Sequence, residues 1–221
     1  MEKKKALVVF SGGLDSTTAL YRALKHYEEV ETLSFTYGSK HNDMEHKYAL
    51  KTCEKLNIKN TLIPLGFIND YFKSDLLQSG GEIPEGMYNA ENMKSTVVPF
   101  RNGIMLAIAA GFAESNNFDV IILGNHSGDH AIYPDCRPEF IDAIRAAIWQ
   151  GTEKNIQVVS PFCDITKTEV VKVGQELGVD FSLTYSCYKG GEKHCGKCGT
   201  CTERKESFEQ NGIIDPTEYE D

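Results

Sequence analysis

The most chemically suggestive stretch of the chain is Ser11-Gly12-Gly13-Leu14-Asp15-Ser16, which lies between an apolar run at 6–10 and a helical pattern starting near Asp15. Strand, glycine turn and helix start together make a cradle for phosphate. Glycine reaches positive φ and lets an anion approach without a Cβ in the way. The amides and dipole of a helix start add positive partial charge, and Ser11, Ser16 and Thr17 add hydroxyl donors. No GxxxxGK[ST] or GxGxxG pattern is present, so neither a Walker loop nor a dinucleotide fingerprint explains the turn. The plainer alternative is a tight turn in which Ser and Asp only cap the helix.

A second chemical cluster lies near the C-terminus, where Cys187, Cys195, Cys198 and Cys201 follow the spacing Cys-X7-Cys-X2-Cys-X2-Cys. Four thiolates on a glycine-rich backbone close a tetrahedral shell, which suits structural Zn²⁺; an iron–sulfur cluster is the rival. The chain has seven cysteines, and an odd number without an export signal favours reduced thiols and metal ligation over a disulfide scaffold. His194, beside Cys195, reads as a solvated side chain.

A third group of polar residues has no obvious packing purpose. Arg101 and Asn102 stand at the start of an apolar helix, suited to holding a phosphate or a nucleotide hydroxyl. Farther on, 124–130 contains His126, Asp129 and His130 and leads to Asp135, Arg137 and Glu139. Carboxylates here can accept from a polar heterocycle and an arginine can grip a carboxylate; alternatively Asp135 and Glu139 serve the helix that begins at Pro138. His126 and His130 either exchange protons or simply line the loop.

These residues need a scaffold, and the apolar patterning supplies one. Strands are expected at 6–10, 30–36, 61–64, 120–124 and 157–160, and helices at 15–26, 42–56, 102–115, 138–150, 166–177 and 202–210. Such alternation predicts an α/β fold with a doubly wound, mostly parallel sheet, in which ligands bind at strand carboxyl ends. We divide the chain into a nucleotide-binding domain at 1–182 and a cysteine-bearing region at 183–221. A polar, glycine-rich insertion at 67–99 is expected over the binding edge, mobile without substrate.

Length and charge narrow the function. With 221 residues and a net charge of −9, the chain suits one core domain and lacks the basic surface that nucleic-acid affinity requires. No run of about 18 apolar residues and no signal-peptide core occurs, so we expect a cytoplasmic protein without nucleic-acid or membrane partners.

The order SGGxDS resembles the pyrophosphate-loop ATP enzymes, an adenine nucleotide alpha hydrolase-like fold that cleaves ATP between the α- and β-phosphates. Over nearly its full length the chain is similar to the 7-cyano-7-deazaguanine synthase family. The resemblance rests on FSGGLDSTT, TYGSKHNDMEHKYA, VPFRN, YPDCRPEF, ITKTEVVKVGQELGV, SCYKGGEKHCGKCGTCTERKESF and GIIDPTEY. It implies ATP- and Mg²⁺-dependent conversion of 7-carboxy-7-deazaguanine and ammonia to the nitrile, through adenylated carboxylate and amide, in a homodimer holding Zn²⁺. ATP would then lie on Phe10, Ser11, Gly12, Gly13, Leu14, Asp15, Ser16, Thr17 and Thr18. Asp15, Ser16, Lys167 and Arg101 would carry catalysis, with Arg101, Asn102, Asp135, Arg137 and Glu139 on the deazaguanine. Phe100, where many members have glycine, and His130-Ala131-Ile132, where they have an aromatic Ser-Gly segment, depart from the pattern. They leave open an end point at the amide or an amine other than ammonia. A tRNA-modifying pyrophosphate-loop enzyme is the competing reading.

Overall fold

The computed structural model describes residues 4–220. Strands β1 (Lys5–Val9), β2 (Glu29–Thr36), β3 (Asn60–Pro64), β4 (Val120–Ile122) and β5 (Gln157–Val159) form one sheet in the order β3-β2-β1-β4-β5. Every pairing is parallel, so the expected α/β architecture is what the chain adopts. β1 is central, and the connections leave it toward opposite edges. The crevice between the ends of β1 and β4 is therefore the topological switch point where such sheets bind ligands.

Alternation along the strands divides the core in two, because successive side chains point to opposite faces. Leu7, Leu33 and Ile121 join one buried cluster, whereas Ala6, Val8, Val120 and Ile122 join the other. The first face is covered by α5 (Arg101–Ser115) and α6 (Pro138–Gly151), the second by α1 (Leu14–His26) and α7 (Lys167–Leu177). α2 (Asn42–Leu56) contributes to both clusters, through Tyr48 to the first and Ala49 and Cys53 to the second.

Helix ends follow local chemistry. The capping box expected at the start of α7 is present, with the Glu169 amide donating to Thr166 Oγ1 and the Thr166 amide donating to Glu169; Gly178 closes the helix at φ 75°. α1 instead begins at Gly13 with no side-chain cap, so its first-turn amides are left to the crevice.

The segment 67–99 packs against the fold. It forms the short helices α3 (Phe67–Tyr71) and α4 (Ala90–Met93) and buries Leu76, Leu77, Ile83 and Met93. Lys40 Nζ donates to the carbonyls of Leu77 at 2.6 Å and Gly81 at 2.8 Å, which ties the segment to the loop after β2. The C-terminal region also shares the core: all four clustered cysteines belong to the same buried cluster as Leu7 and Leu33. Helix α8 (Gly199–Gln210), which starts three residues earlier than the sequence pattern suggested, packs on α7. Among the described residues, no single helix is long and apolar enough to cross a membrane.

Candidate active site

A cleft of about 1120 Å³, counting its open mouth, lies over the switch point. Its floor is the turn after β1: Phe10, Ser11, Gly13, Leu14, Asp15 and Ser16 all line it.

Two glycines hold this turn against its neighbours. At Gly12 φ is +82°, and a Cβ would lie 2.5 Å from the Glu45 carbonyl and 2.6 Å from the Ala49 amide. The turn thus rests directly on the backbone of α2, and Gly12 serves that contact without itself lining the cleft. At Gly124 a Cβ would stand 3.0 Å from the Asp15 backbone, which lets the end of β4 abut the start of α1. Thr17 and Thr18 are fully buried, and the Thr18 hydroxyl donates to the Leu14 carbonyl. They hold the turn from beneath and do not reach the cleft.

Two cations face this turn. Lys167, the first residue of α7, meets Asp15 Oδ2 at 2.5 Å. Burial works to lower its pKa, but Asp15, Glu203 and Asp129 outweigh burial and keep the ammonium charged. Asp15 Oδ1 is buried and has no protein partner, so one lone-pair face of this carboxylate is free for a cation or a donor. Arg101, the first residue of α5, donates from Nη1 to the Tyr37 hydroxyl at 2.8 Å.

Carboxyl groups of shifted acidity complete the walls. Burial pushes Glu45 up to about 8, against the opposing pull of Arg101 and a Ser11 hydrogen bond. Burial likewise raises Glu203 to about 7, with Lys167 and His126 opposing and Asp129 and Asp15 adding. Burial also works to raise Asp129, but His126, Lys167 and the Tyr88 hydrogen bond hold it below the ordinary range. Tyr88 donates to Asp129 Oδ1 at 2.8 Å, so the 67–99 segment supplies part of the wall. Burial and Arg101 press His41 down to about 3, which leaves it neutral.

Asn102 lines the cleft, but Asp135, Arg137 and Glu139 do not. Asp135 is buried, and its Oδ2 accepts the Asn102 amide at 2.7 Å; it caps α5 and not the helix at Pro138. Arg137 is exposed and spends its Nε on the His130 carbonyl. Glu139 is exposed in the first turn of α6. His126 lines the cleft with Nδ1 accepting from the Gly128 amide, whereas His130 turns toward Cys163. Tyr37, His41, Glu45, Tyr88 and Glu203 received no role from the sequence. The signal for two of them was present, since His41 and Glu45 stand four apart at the start of the helix after β2, at a strand carboxyl end.

Cys187, Cys195, Cys198 and Cys201 bring their sulfurs within 4.8 Å of one another, all buried. Tetrahedral ligation with bonds of about 2.3 Å separates sulfurs by about 3.8 Å, and Cys195 and Cys201 stand 4.0 Å apart. The donor set therefore fits a tetrahedral metal ion. His194 is buried against Tyr185, and its Nε2 accepts the Ser186 amide, so it is a packing residue and not the solvated side chain expected.

Residues 5–212 match the family described as "Queuosine biosynthesis protein QueC". This chain belongs to the QueC family. A 7-cyano-7-deazaguanine synthase of Porphyromonas gingivalis is 55% identical over 218 residues, covering 99% of this chain and 98% of that protein. One from Desulfotalea psychrophila is 51% identical over 97% and 98% of the two chains. Among solved structures, the NMN synthetase of Francisella tularensis aligns with a TM-score of 0.53 at 14% identity, covering 96% of this chain and 79% of that one. That likeness concerns the fold alone. Like other members of the QueC family, the chain is an enzyme, built on a parallel α/β fold with four buried cysteines that could hold a metal ion.

Proposed function

We propose that this QueC-family enzyme converts 7-carboxy-7-deazaguanine and ammonia to 7-cyano-7-deazaguanine, consuming ATP in two adenylation steps. The carrying observation is the meeting of Asp15 and Lys167 on the uncapped start of α1, beneath a cleft that Arg101, Glu45 and Glu203 also line.

A carboxylate is a poor electrophile, and attack of its oxygen on the α-phosphorus of ATP turns that oxygen into part of a leaving group. Pyrophosphate departs, ammonia displaces AMP to give the primary amide, and a second adenylation on the amide oxygen permits dehydration to the nitrile. The α1 amides, with Ser11 and Ser16, accept the phosphates. Lys167 neutralises charge that builds on the departing pyrophosphate, the type of stabilisation worth most in a water-poor site. Arg101, fixed by Tyr37, holds a second anionic group. Asp15 Oδ1 is the residue atom that fits Mg²⁺, which when bound supplies further neutralisation of phosphate charge. The four cysteines suit Zn²⁺ as a structural ion. The deazaguanine ring would lie against Phe35, Tyr37, Met105 and Leu123, the apolar wall of the cleft.

The same reading places the enzyme in the cytoplasm, where ATP and reduced thiols are available, as a homodimer. The apolar patch that Phe100 and Phe140 form edge to face, 5.5 Å apart at the starts of α5 and α6, is the face that suits pairing.

The test is incubation with ATP, Mg²⁺, ammonium and 7-carboxy-7-deazaguanine, followed by product masses. Nitrile, AMP and pyrophosphate are expected. Release of the amide as final product, or of a conjugate with another amine, would replace this reading.

A further inference from the structure

Glu45 stands apart from the other acidic residues of the cleft. It lies four residues into α2, and the carbonyl of the same residue is what Gly12 packs against, so the phosphate turn fixes its position. Its side chain is 18% exposed, and that exposure is into the cleft, which it lines together with Ser11 and Arg101. Nothing in phosphate binding calls for a carboxyl group there, because an anion beside the turn repels phosphate. The surrounding groups are Ser11 from the turn, Arg101 from α5, Tyr37 from the end of β2 and His41, whose Nε2 is 3.4 Å from Glu45 Oε2.

We propose that Glu45 is the proton acceptor for the nitrogen of the reacting amide, an inference that rests on the nitrile-forming reaction proposed above. In the second half of that reaction the amide oxygen attacks the α-phosphorus and pyrophosphate leaves. This gives a protonated O-adenylyl imidate that still carries both N–H protons, so pyrophosphate exchange precedes either transfer. Loss of one proton leaves the neutral imidate, and loss of the second forms the C≡N bond as the C–O bond breaks and AMP departs. Neither proton can stay on the product, so a base must take each in turn and pass it to water. Burial holds Glu45 near 8, close to the operating pH, where a general base is most effective. His41, pressed down to about 3, is neutral and able to accept a hydrogen bond from the protonated carboxyl between transfers.

The experiment starts from the primary amide of the 7-carboxylate, with ATP and without ammonium, so that titration of ammonia does not enter. Wild type is expected to form nitrile at a rate that rises with pH through a limb near 8, because the carboxylate form is the active one. Glu45→Gln keeps the shape and is expected to retain amide-dependent exchange of pyrophosphate into ATP within about threefold. Nitrile formation should fall by about 10²–10⁴-fold, with the limb near 8 missing. Glu45→Asp should restore part of the rate and the limb. Equal nitrile rates and an unchanged limb in Glu45→Gln would overturn the proposal. So would loss of exchange together with nitrile formation, which would make Glu45 a support of the phosphate site. If wild type exchanges pyrophosphate with neither carboxylate nor amide, the proposed function itself fails, and this inference with it.

Discussion

Lys167 Nζ and Asp15 Oδ2 meet at 2.5 Å although 152 positions separate them in sequence. Each belongs to the first turn of a helix, α1 or α7, so the contact joins two helix starts at one point beneath the cleft. Both side chains are mostly buried. Replacing Lys167 by Met leaves Asp15 uncompensated and removes the cation from the phosphate site. We expect substrate-dependent pyrophosphate release to fall by about 10²–10³-fold, the typical loss of one preorganised stabilising group. Asp15→Ala should be at least as damaging, with circular dichroism unchanged in both. Normal release in these variants would remove the pair from catalysis.

The metal site predicts a different pattern. One metal ion per chain is expected by elemental analysis, zinc in preference to iron with sulfide. Because a closed cysteine site contributes directly to folding, Cys198→Ser should lose the ion and lower the melting temperature. Its sulfur is one of four buried side by side. A fully stable, metal-free protein would contradict this.

Much of this arrangement was legible in the sequence, because the features involved are local. Apolar alternation marked all five strands within two residues of their ends, and Thr166, Glu169 and Gly178 announced α7 through chemistry confined to one turn at each end. The SGGLDS turn was equally plain. What stayed hidden depends on distant approach. Glu45 acquires its position because α2 rides on Gly12, and Glu203 because α8 packs beside α7. The contact of Asp135 with α5 was hidden for the same reason: a carboxyl just ahead of Pro138 offers itself to a heterocycle or to the next helix, and its oxygen accepts from α5, 33 residues earlier.

That relocation of Asp135 has a measurable consequence. Its Oδ2 accepts the Asn102 amide in a buried setting, so Asp135→Ala leaves an amide without its acceptor at the start of α5. Destabilisation of about 1–3 kcal/mol follows from the stranded donor, read by urea denaturation. Asp135→Asn keeps an acceptor oxygen and should cost less, as expected for capping. Neither change is expected to alter heterocycle affinity directly, and calorimetry checks this. Selective loss of affinity in a fully stable Asp135→Asn variant would return the residue to the binding site.

The last prediction concerns the C-terminal tail. Arg204 is fully buried and donates Nε and Nη2 to Asp215, while Nη1 reaches the Thr184 and Ser186 hydroxyls. Tyr219 also donates to Asp215, at 2.6 Å. Burial works to raise the Asp215 carboxyl, but Arg204 and Tyr219 outweigh it and hold it below its ordinary value. A depressed folded-state pKa contributes stability that is present above the unfolded value, about 3.9, and disappears as pH falls through the folded one. The tail should therefore remain docked at neutral pH and release only in strong acid. Asp215→Ala imposes the loss at every pH, because it strands a buried guanidinium, and breaking such a pair typically costs about 3–5 kcal/mol. Hydrogen exchange should then show the His194 and Glu220 amides, which bond across the tail, losing protection before the sheet does. Protection equal to wild type in Asp215→Ala would mean that the tail is held by its apolar contacts and not by this pair.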